Sequence, residues 1–418
     1  MVAMRGLAQG LRMGNQRSAI VVGGGIIGAT SAYALARRGW RVQLIDREAQ
    51  AAQGASLGNG RQLSYSHTNA LASPAILREI PRLVLGCDEA FKLRLKLDRT
   101  FLSWILQFLA NCTSAANRKN TLETLELADR SRAAMEQLLE QHPIEFERRQ
   151  TGKLVLLRSQ AELNAARSSL EMKRLAGLEQ AMLSYQEASL LEPALEQVRE
   201  IFLGALYAPG DETGNCAEFA RNLIALCEDQ FGVEFHTLSR VIGVDRKCGR
   251  SVVVLDSGEE RQADLVVMAN GHAINQLLGP LNHRLPVEPM KGYSFTAPVG
   301  NAAPRVSVTD QKKRIVFTNL GDRMLVAGIA ELGASDIRVD RLRLQSVIAA
   351  ARDSLPEAAV YSEADGGWAG IRPMTPNSRP FIRMLEPGIA VNAGHGMLGW
   401  TLAMGSAEKL CEVVESAI

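Results

Sequence analysis

Ala19-Ile-Val-Val-Gly-Gly-Gly-Ile-Ile-Gly-Ala29 decides the fold of this chain, because a second apolar run, Trp40-Arg-Val-Gln-Leu-Ile-Asp46, follows it closely. Gly23, Gly25 and Gly28 fit G-x-G-x-x-G. Residues 19–22 read as a buried strand and 29–38 as a helix with Ala32, Leu35 and Ala36 on its apolar face; 40–45 read as a second strand. Asp46 closes that strand about 20 residues on, where such units carry an acid. The first glycine allows a tight turn, and the second lets backbone amides approach a pyrophosphate. The third lets helix and strand pack closely, and the carboxylate accepts hydrogen bonds from a ribose. The helix N-terminus adds unpaired N–H groups and a favourable dipole for phosphates. Glycine spacing alone is weak, but with strand, helix, strand and acid in order it predicts a dinucleotide-binding βαβ unit.

Working outward, 418 residues exceed one ordinary core, so two domains are expected. Apolar residues at 46% and charged ones at 22% fit a soluble globular protein. The net charge of +2, with no basic cluster interleaved with exposed aromatics, excludes a nucleic-acid partner. Cys87, Cys112, Cys216, Cys227, Cys248 and Cys411 form no C-x-x-C pair, and the histidines lack ligand spacing. No metal site is expected, and the chain reads as reduced and cytoplasmic. The first eighteen residues carry Arg5, Arg12 and Arg17 and no acid, without the apolar core of a secretory signal. They read as a weak organelle-targeting segment, a disordered extension or an over-long start, with Met13 as an alternative first residue. The uncharged run 19–36 is long enough for a membrane span, but its glycine spacing belongs to the nucleotide unit. No span is expected.

A Gly/Asn/Ser loop covers 54–67, and 74–139 reads as helical with a break near 111–114. A strand is expected at 154–157 and a helix at 160–175. Strands follow at 233–235, 241–244 and 251–256, the last two as a hairpin around Lys247-Cys-Gly249. Residues 263–269 form an apolar strand, interrupted only by Asp264 and ending in Asn270-Gly271. The segments 290–298, 314–318 and 324–328 read as an antiparallel sheet. A strand at 389–392 leads through Gly394-His-Gly-Met-Leu-Gly399 into a helix at 400–416. Nucleotide-type motifs thus stand at the start, middle and end, which predicts a discontinuous cofactor domain.

Five segments then resemble one family: Ala55-Ser-Leu-Gly-Asn-Gly-Arg-Gln-Leu-Ser64, Gly210-Asp-Glu-Thr-Gly-Asn-Cys216, Lys291-Gly-Tyr-Ser294, Gly370-Ile-Arg-Pro-Met-Thr-Pro376 and Gly394-His-Gly-Met-Leu-Gly-Trp-Thr401. They are similar to flavin-dependent D-amino acid dehydrogenases, within the D-amino acid oxidase and sarcosine oxidase group, from about residue 19 to the end. The resemblance implies FAD and oxidation of a D-amino acid to an imino or 2-oxo acid; nothing in the sequence fixes the side-chain pocket, so D-proline-type cyclic substrates stay open beside linear ones. It implies electron transfer to a quinone or respiratory chain, and peripheral contact with the inner face of a bacterial inner membrane. The expected fold is α/β: a discontinuous Rossmann-like FAD-binding domain (19–68, 211–285, 367–418) with an α+β substrate domain on an antiparallel sheet (69–210, 286–366). The alternatives are an oxygen-using amine oxidase of the sarcosine or glycine type and, more distantly, a non-catalytic flavin-binding subunit.

Cofactor contacts are expected from Gly23, Gly25, Gly28, Asp46 and Arg47, and from Ser56, Asn59, Gly60, Arg61 and Gln62 in the loop beside the flavin. Ala269 and Gly271 would add backbone near the nucleotide, and Gly394, His395, Gly396, Met397, Leu398 and Gly399 would bring helix-terminal amides to the ring. Arg61 stands where the family commonly has glycine or a small residue. It is expected either to act on flavin or substrate, or to point to solvent or a phosphate. Arg372, extended by Pro373 after it, is expected to fork onto the substrate carboxylate. Tyr293 is expected to close over the substrate, with core burial as the alternative; Tyr65 and His67 follow the flavin loop as further catalytic candidates. Residues 77–108 mix Arg78, Arg82, Lys92, Arg94, Lys96 and Arg99 with Phe101, Trp104, Ile105 and Phe108, which suits either an anionic membrane surface or a helical lid.

Overall fold

The computed structural model describes residues 16–84, 90–96, 98–174, 178–198 and 202–417. Arg5, Arg12, Met13 and the rest of the basic leader up to residue 15 lie outside the described residues, as does Cys87.

Two large sheets carry the chain. The first has six strands in the order Phe381–Glu386, Ile389–Ala393, Leu265–Met268, Ser18–Val22, Arg41–Ile45, Glu234–His236. All neighbours run parallel except the outermost pair, Phe381–Glu386 and Ile389–Ala393. Ser18–Val22 is buried at every position. Its continuous apolar run has a simple cause: both faces are covered. Ala19 and Val21 meet the helices Ile26–Arg37, Cys216–Phe231 and Gly399–Ala417, whereas Ile20 and Val22 face the three-stranded sheet containing Val244 and Val253.

The second sheet has nine strands, running from Trp368–Met374 through Glu288–Pro298, Arg323–Leu332, Ile315–Asn319, Ser307–Asp310, Lys153–Leu157 and Gly204–Ala208 to Ala181–Ser184. It is antiparallel apart from Ser307–Asp310 beside Lys153–Leu157, and Phe91–Leu93 beside Arg323–Leu332. Helix Arg341–Ser354 packs Leu344, Val347 and Ala351 into the core on one face. The α/β class, with a parallel Rossmann-like layer and a separate antiparallel one, is the expected architecture.

Several details depart from the sequence reading. The helical stretch read over 74–139 is three helices, Pro74–Val84, Arg99–Ala110 and Ser114–Gln141, with the strand Phe91–Leu93 between the first two. Ser114–Gln141 packs on the C-terminal helix Gly399–Ala417, so it leans on the nucleotide layer rather than the substrate sheet. The boundary expected at 366/367 falls one strand early, because Trp368–Met374 completes the antiparallel sheet and the chain returns to the parallel one at Phe381–Glu386. Trp368–Met374 is an edge strand, which is why Pro373, lying opposite Pro289, is tolerated there. The turns Gly271–Ala273 and Gly396–Leu398 of the nucleotide layer pack against this edge.

Candidate active site

The fingerprint turn is built as its residue types require. Gly23 has φ of 109°, open to glycine and strained for other residues. A Cβ on Gly28 would lie 1.7 Å from the Gly23 carbonyl oxygen, so helix and turn meet only because that atom is missing. The Asp46 carboxylate accepts from the backbone N–H of Gly24 and, at 2.8 Å, from that of Glu48. Ser56 Oγ accepts from the Ile26 N–H at 3.1 Å, tying the flavin loop to the helix start.

A cavity of about 1900 Å³ opens from this turn. It exceeds the few hundred to about 1,000 Å³ of ordinary small-molecule sites and has room for an extended dinucleotide with a second ligand. Gly23, Gly25, Asp46, Arg47, Ser56, Asn59, Gly60, Arg61, Gln62, Ala269 and Gly271 all line it, as does the whole of 394–399. Gly28 does not, being packed beneath the turn. The close-packed turn, terminal acid and helix-entry backbone on one wall fit FAD.

The loop 58–64 crosses the face of the antiparallel sheet. Ser294 Oγ donates to the Gly58 carbonyl at 2.8 Å, Thr318 Oγ1 donates to that of Gly60 at 2.9 Å, and Gln62 Nε2 donates to Ser307 Oγ at 2.6 Å. Lys153 Nζ then donates to Gln62 Oε1 at 3.0 Å and to Ser64 Oγ at 2.9 Å. Lys153 is almost wholly buried, and desolvation brings its pKa down to about 8. Sequence reading missed it; the available signal was a lone charge opening the apolar strand Lys153–Leu157.

Arg61 occupies the left-handed region with φ of 55°, a conformation that favours glycine. Its guanidinium is turned to Glu147 at 2.5 Å, and Asn215 Nδ2 donates to the other oxygen of that carboxylate at 3.0 Å. The cation is therefore neutralised at the cavity wall.

Arg372 stands half-buried in the cavity, with no carboxylate against it among the described residues. Desolvation lowers its pKa to about 10, so it keeps its charge at neutral pH. An uncompensated guanidinium in a poorly hydrated wall is a ready receptor for a carboxylate. Near it, Met290, Ile329, Ile371, Met374 and Trp368 also line the cavity.

The other catalytic candidates fare differently. Tyr293 lies in the core, not on the cavity wall: it is fully buried and donates to Glu331 Oε1 at 2.8 Å, with burial and that carboxylate raising its pKa. The cause is strand alternation: Gly292 shows its face to the cavity beneath Arg372, so Tyr293, the next residue, faces the other way, and the extra residue of the register shift at this point is Ile329 on the neighbouring strand. Tyr65 also points inward, packed in the nucleotide-layer core with its pKa raised by burial. His67 does line the cavity. Burial, then the charges of Lys153 and Lys173, hold its pKa well below the ordinary value, so it is neutral. His395 is likewise neutral, brought down to about 3 by burial, and is hydrogen-bonded to Ser406 Oγ at 2.9 Å.

Residues 18–413 match the family described as FAD dependent oxidoreductase. The chain is 34% identical over 399 residues to a D-amino acid dehydrogenase of Vibrio vulnificus, covering 95% of each. It is 37% identical over 407 residues to D-amino acid dehydrogenase 2 of Ralstonia nicotianae, covering 94% of this chain and 95% of that one. Among solved structures, glycine oxidase from Geobacillus kaustophilus aligns with a TM-score of 0.74 at 22% identity over 96% of both chains. L-proline dehydrogenase from P. horikoshii aligns at 0.73 with 19% identity, covering 96% of this chain and 94% of that one. These structural likenesses speak for the fold; the sequence match and the nucleotide turn speak for the cofactor, and the chain belongs to the FAD-dependent oxidoreductase family.

Proposed function

We propose that this protein oxidises D-amino acids to imino acids, which water converts to 2-oxo acids and ammonia; cyclic substrates would keep their nitrogen in the ring. The observation that carries the reading is Arg372, a charged fork with no carboxylate against it among the described residues, facing the same cavity as the nucleotide turn. Its relatives named D-amino acid dehydrogenase support the choice of substrate. Bound FAD supplies the acceptor for the hydride that leaves Cα. Arg372 fixes the carboxylate through two charge-assisted hydrogen bonds, and orientation of this kind is worth roughly 7–11 kcal/mol at best. His67 and His395, both neutral, add no competing positive charge. The division of the chain into alternating FAD and substrate segments belongs to the same proposal, with its last boundary moved beyond Met374. The strand pairing supports that move.

The acceptor proposed is a membrane quinone or respiratory chain. Among the described residues no helix is long and apolar enough to cross a membrane. Contact would be peripheral, through the face built by Pro74–Val84 and Arg99–Ala110. The amphipathic reading of this segment needs a correction: Phe101, Trp104 and Phe108 are buried, and Leu102, Leu106 and Leu109 form the outward stripe. With Leu77, Val84 and Leu95, also exposed, and the neighbouring Arg78, Lys92 and Arg99, they suit an anionic lipid surface.

An anaerobic titration with D- and L-amino acids, read by flavin absorbance, tests the function. Bleaching by D-forms alone is expected, followed by reoxidation with a quinone and little peroxide in air. A flavin that stays oxidised with every D-amino acid overturns the reading, and stoichiometric peroxide overturns the acceptor.

A further inference from the structure

Trp368, Gly370 and Arg372 alternate along the edge strand, and all three face the cavity. The neighbouring strand places Ser294 opposite Trp368, Gly292 opposite Gly370 and Met290 opposite Arg372. Both large side chains lie down over the glycines between them. A Cβ on Gly292 would fall 2.1 Å from an Arg372 guanidinium nitrogen, and one on Gly370 would fall 1.9 Å from the Trp368 ring. Since Gly292 and Gly370 are a directly opposed pair, guanidinium and indole are neighbours on the cavity floor. A third glycine fixes the other side: a Cβ on Gly58, in the flavin loop, would come within 2.3 Å of the indole at Cδ2. The Gly58 carbonyl is in turn held by Ser294, the residue opposite Trp368. The indole is thus seated between two backbones, beside the carboxylate fork and against the loop that flanks the flavin. No acceptor for its N–H is recorded among the described residues.

We propose that Trp368 is the specificity-determining residue of this site: its indole is the surface on which the side chain of the amino acid rests. The inference rests on the proposed function. A carboxylate held by Arg372 leaves Cα about one bond beyond the fork, and the indole is the large rigid surface next to it. Met290 and Ile329 extend the same wall without charge. The class selected is an amino acid with an uncharged side chain long enough to lie across an indole. Apolar contact of a methylene or more is worth about tenfold or more in discrimination.

The test uses the FAD-loaded enzyme and its W368F and W368A variants, with D-alanine, D-leucine and D-phenylalanine. In W368A, kcat/KM for D-leucine and D-phenylalanine should fall about tenfold or more relative to D-alanine, whose methyl group barely reaches the ring; W368F should recover most of the loss. Acetate, isovalerate and benzoate, titrated by their perturbation of the flavin spectrum, give a second readout without turnover. The preference for the larger two over acetate should shrink in W368A. Equal losses for every substrate, or an unchanged order of carboxylate binding, overturn the proposal. If the wild type oxidises no D-amino acid yet binds the carboxylates, the function falls and the binding series alone judges the wall.

Discussion

The Arg372 guanidinium lies over Gly292 of the neighbouring strand, so a change at either residue moves the same group. Arg372→Ala should cost about 2–5 kcal/mol in transition-state stabilisation, as truncating a buried charged partner does, and lower kcat/KM for D-amino acids at least thirtyfold. FAD content should be unchanged; near-normal kcat/KM would remove the arginine from the site. Gly292→Ala should imitate it: the new methyl displaces the flexible guanidinium rather than backbone, so catalytic efficiency drops while the melting temperature barely moves. Lys153 and Lys173 give a pH signature. Both are brought to about 8 from an ordinary 10.5, so between those values the unfolded chain holds protons that the folded one has released, and stability rises with pH. Below about pH 8 that gain is absent. Lys153→Met should flatten the rise in melting temperature above about pH 8, and an unaltered slope would mean that the ammonium is better solvated than its burial indicates.

Elements explain what could be read from the chain and what could not. The βαβ turn, the apolar strand before Asn270 and the glycine-rich entry to the last helix were legible because each is set within about ten neighbouring residues. Arg372 was legible for the same reason, through its proline. Tyr293 was not, since successive strand residues point to opposite faces and only the pairing with Trp368–Met374 shows which face meets the cavity. Lys153 and Trp368 belong to no local motif, and only the pairing of distant strands makes them neighbours of the flavin loop. The helix Arg99–Ala110 has two apolar stripes, and sequence periodicity alone cannot say which one faces the core. Its outward stripe is testable: replacing Leu102, Leu106 and Leu109 by serine should weaken sedimentation with anionic vesicles at least tenfold, each leucine being worth about 1.5–3 kcal/mol when buried. The fold and flavin spectrum should be untouched. Equal sedimentation of both proteins would rule out this face as the lipid contact.

At the scale of the whole molecule, the cavity is walled by both sheets, so a ligand filling it links their stabilities. FAD at a hundredfold excess over its Kd should add roughly 2.7 kcal/mol and raise the melting temperature by several degrees. Differential scanning calorimetry of apo- and holoprotein measures this; identical curves would mean that FAD does not bind the folded protein. The turns Gly271–Ala273 and Gly396–Leu398 have a bearing here beyond holding a flavin. They lie against Trp368–Met374, the open rim of a nine-stranded sheet, and such a rim is a template for strand addition by another chain. Drawing the two sheets apart uncovers that rim, and the first strand that a foreign chain would meet is the one that carries Arg372. The nucleotide layer is therefore also a guard against self-association, and stripping the flavin should make the protein aggregate through that edge.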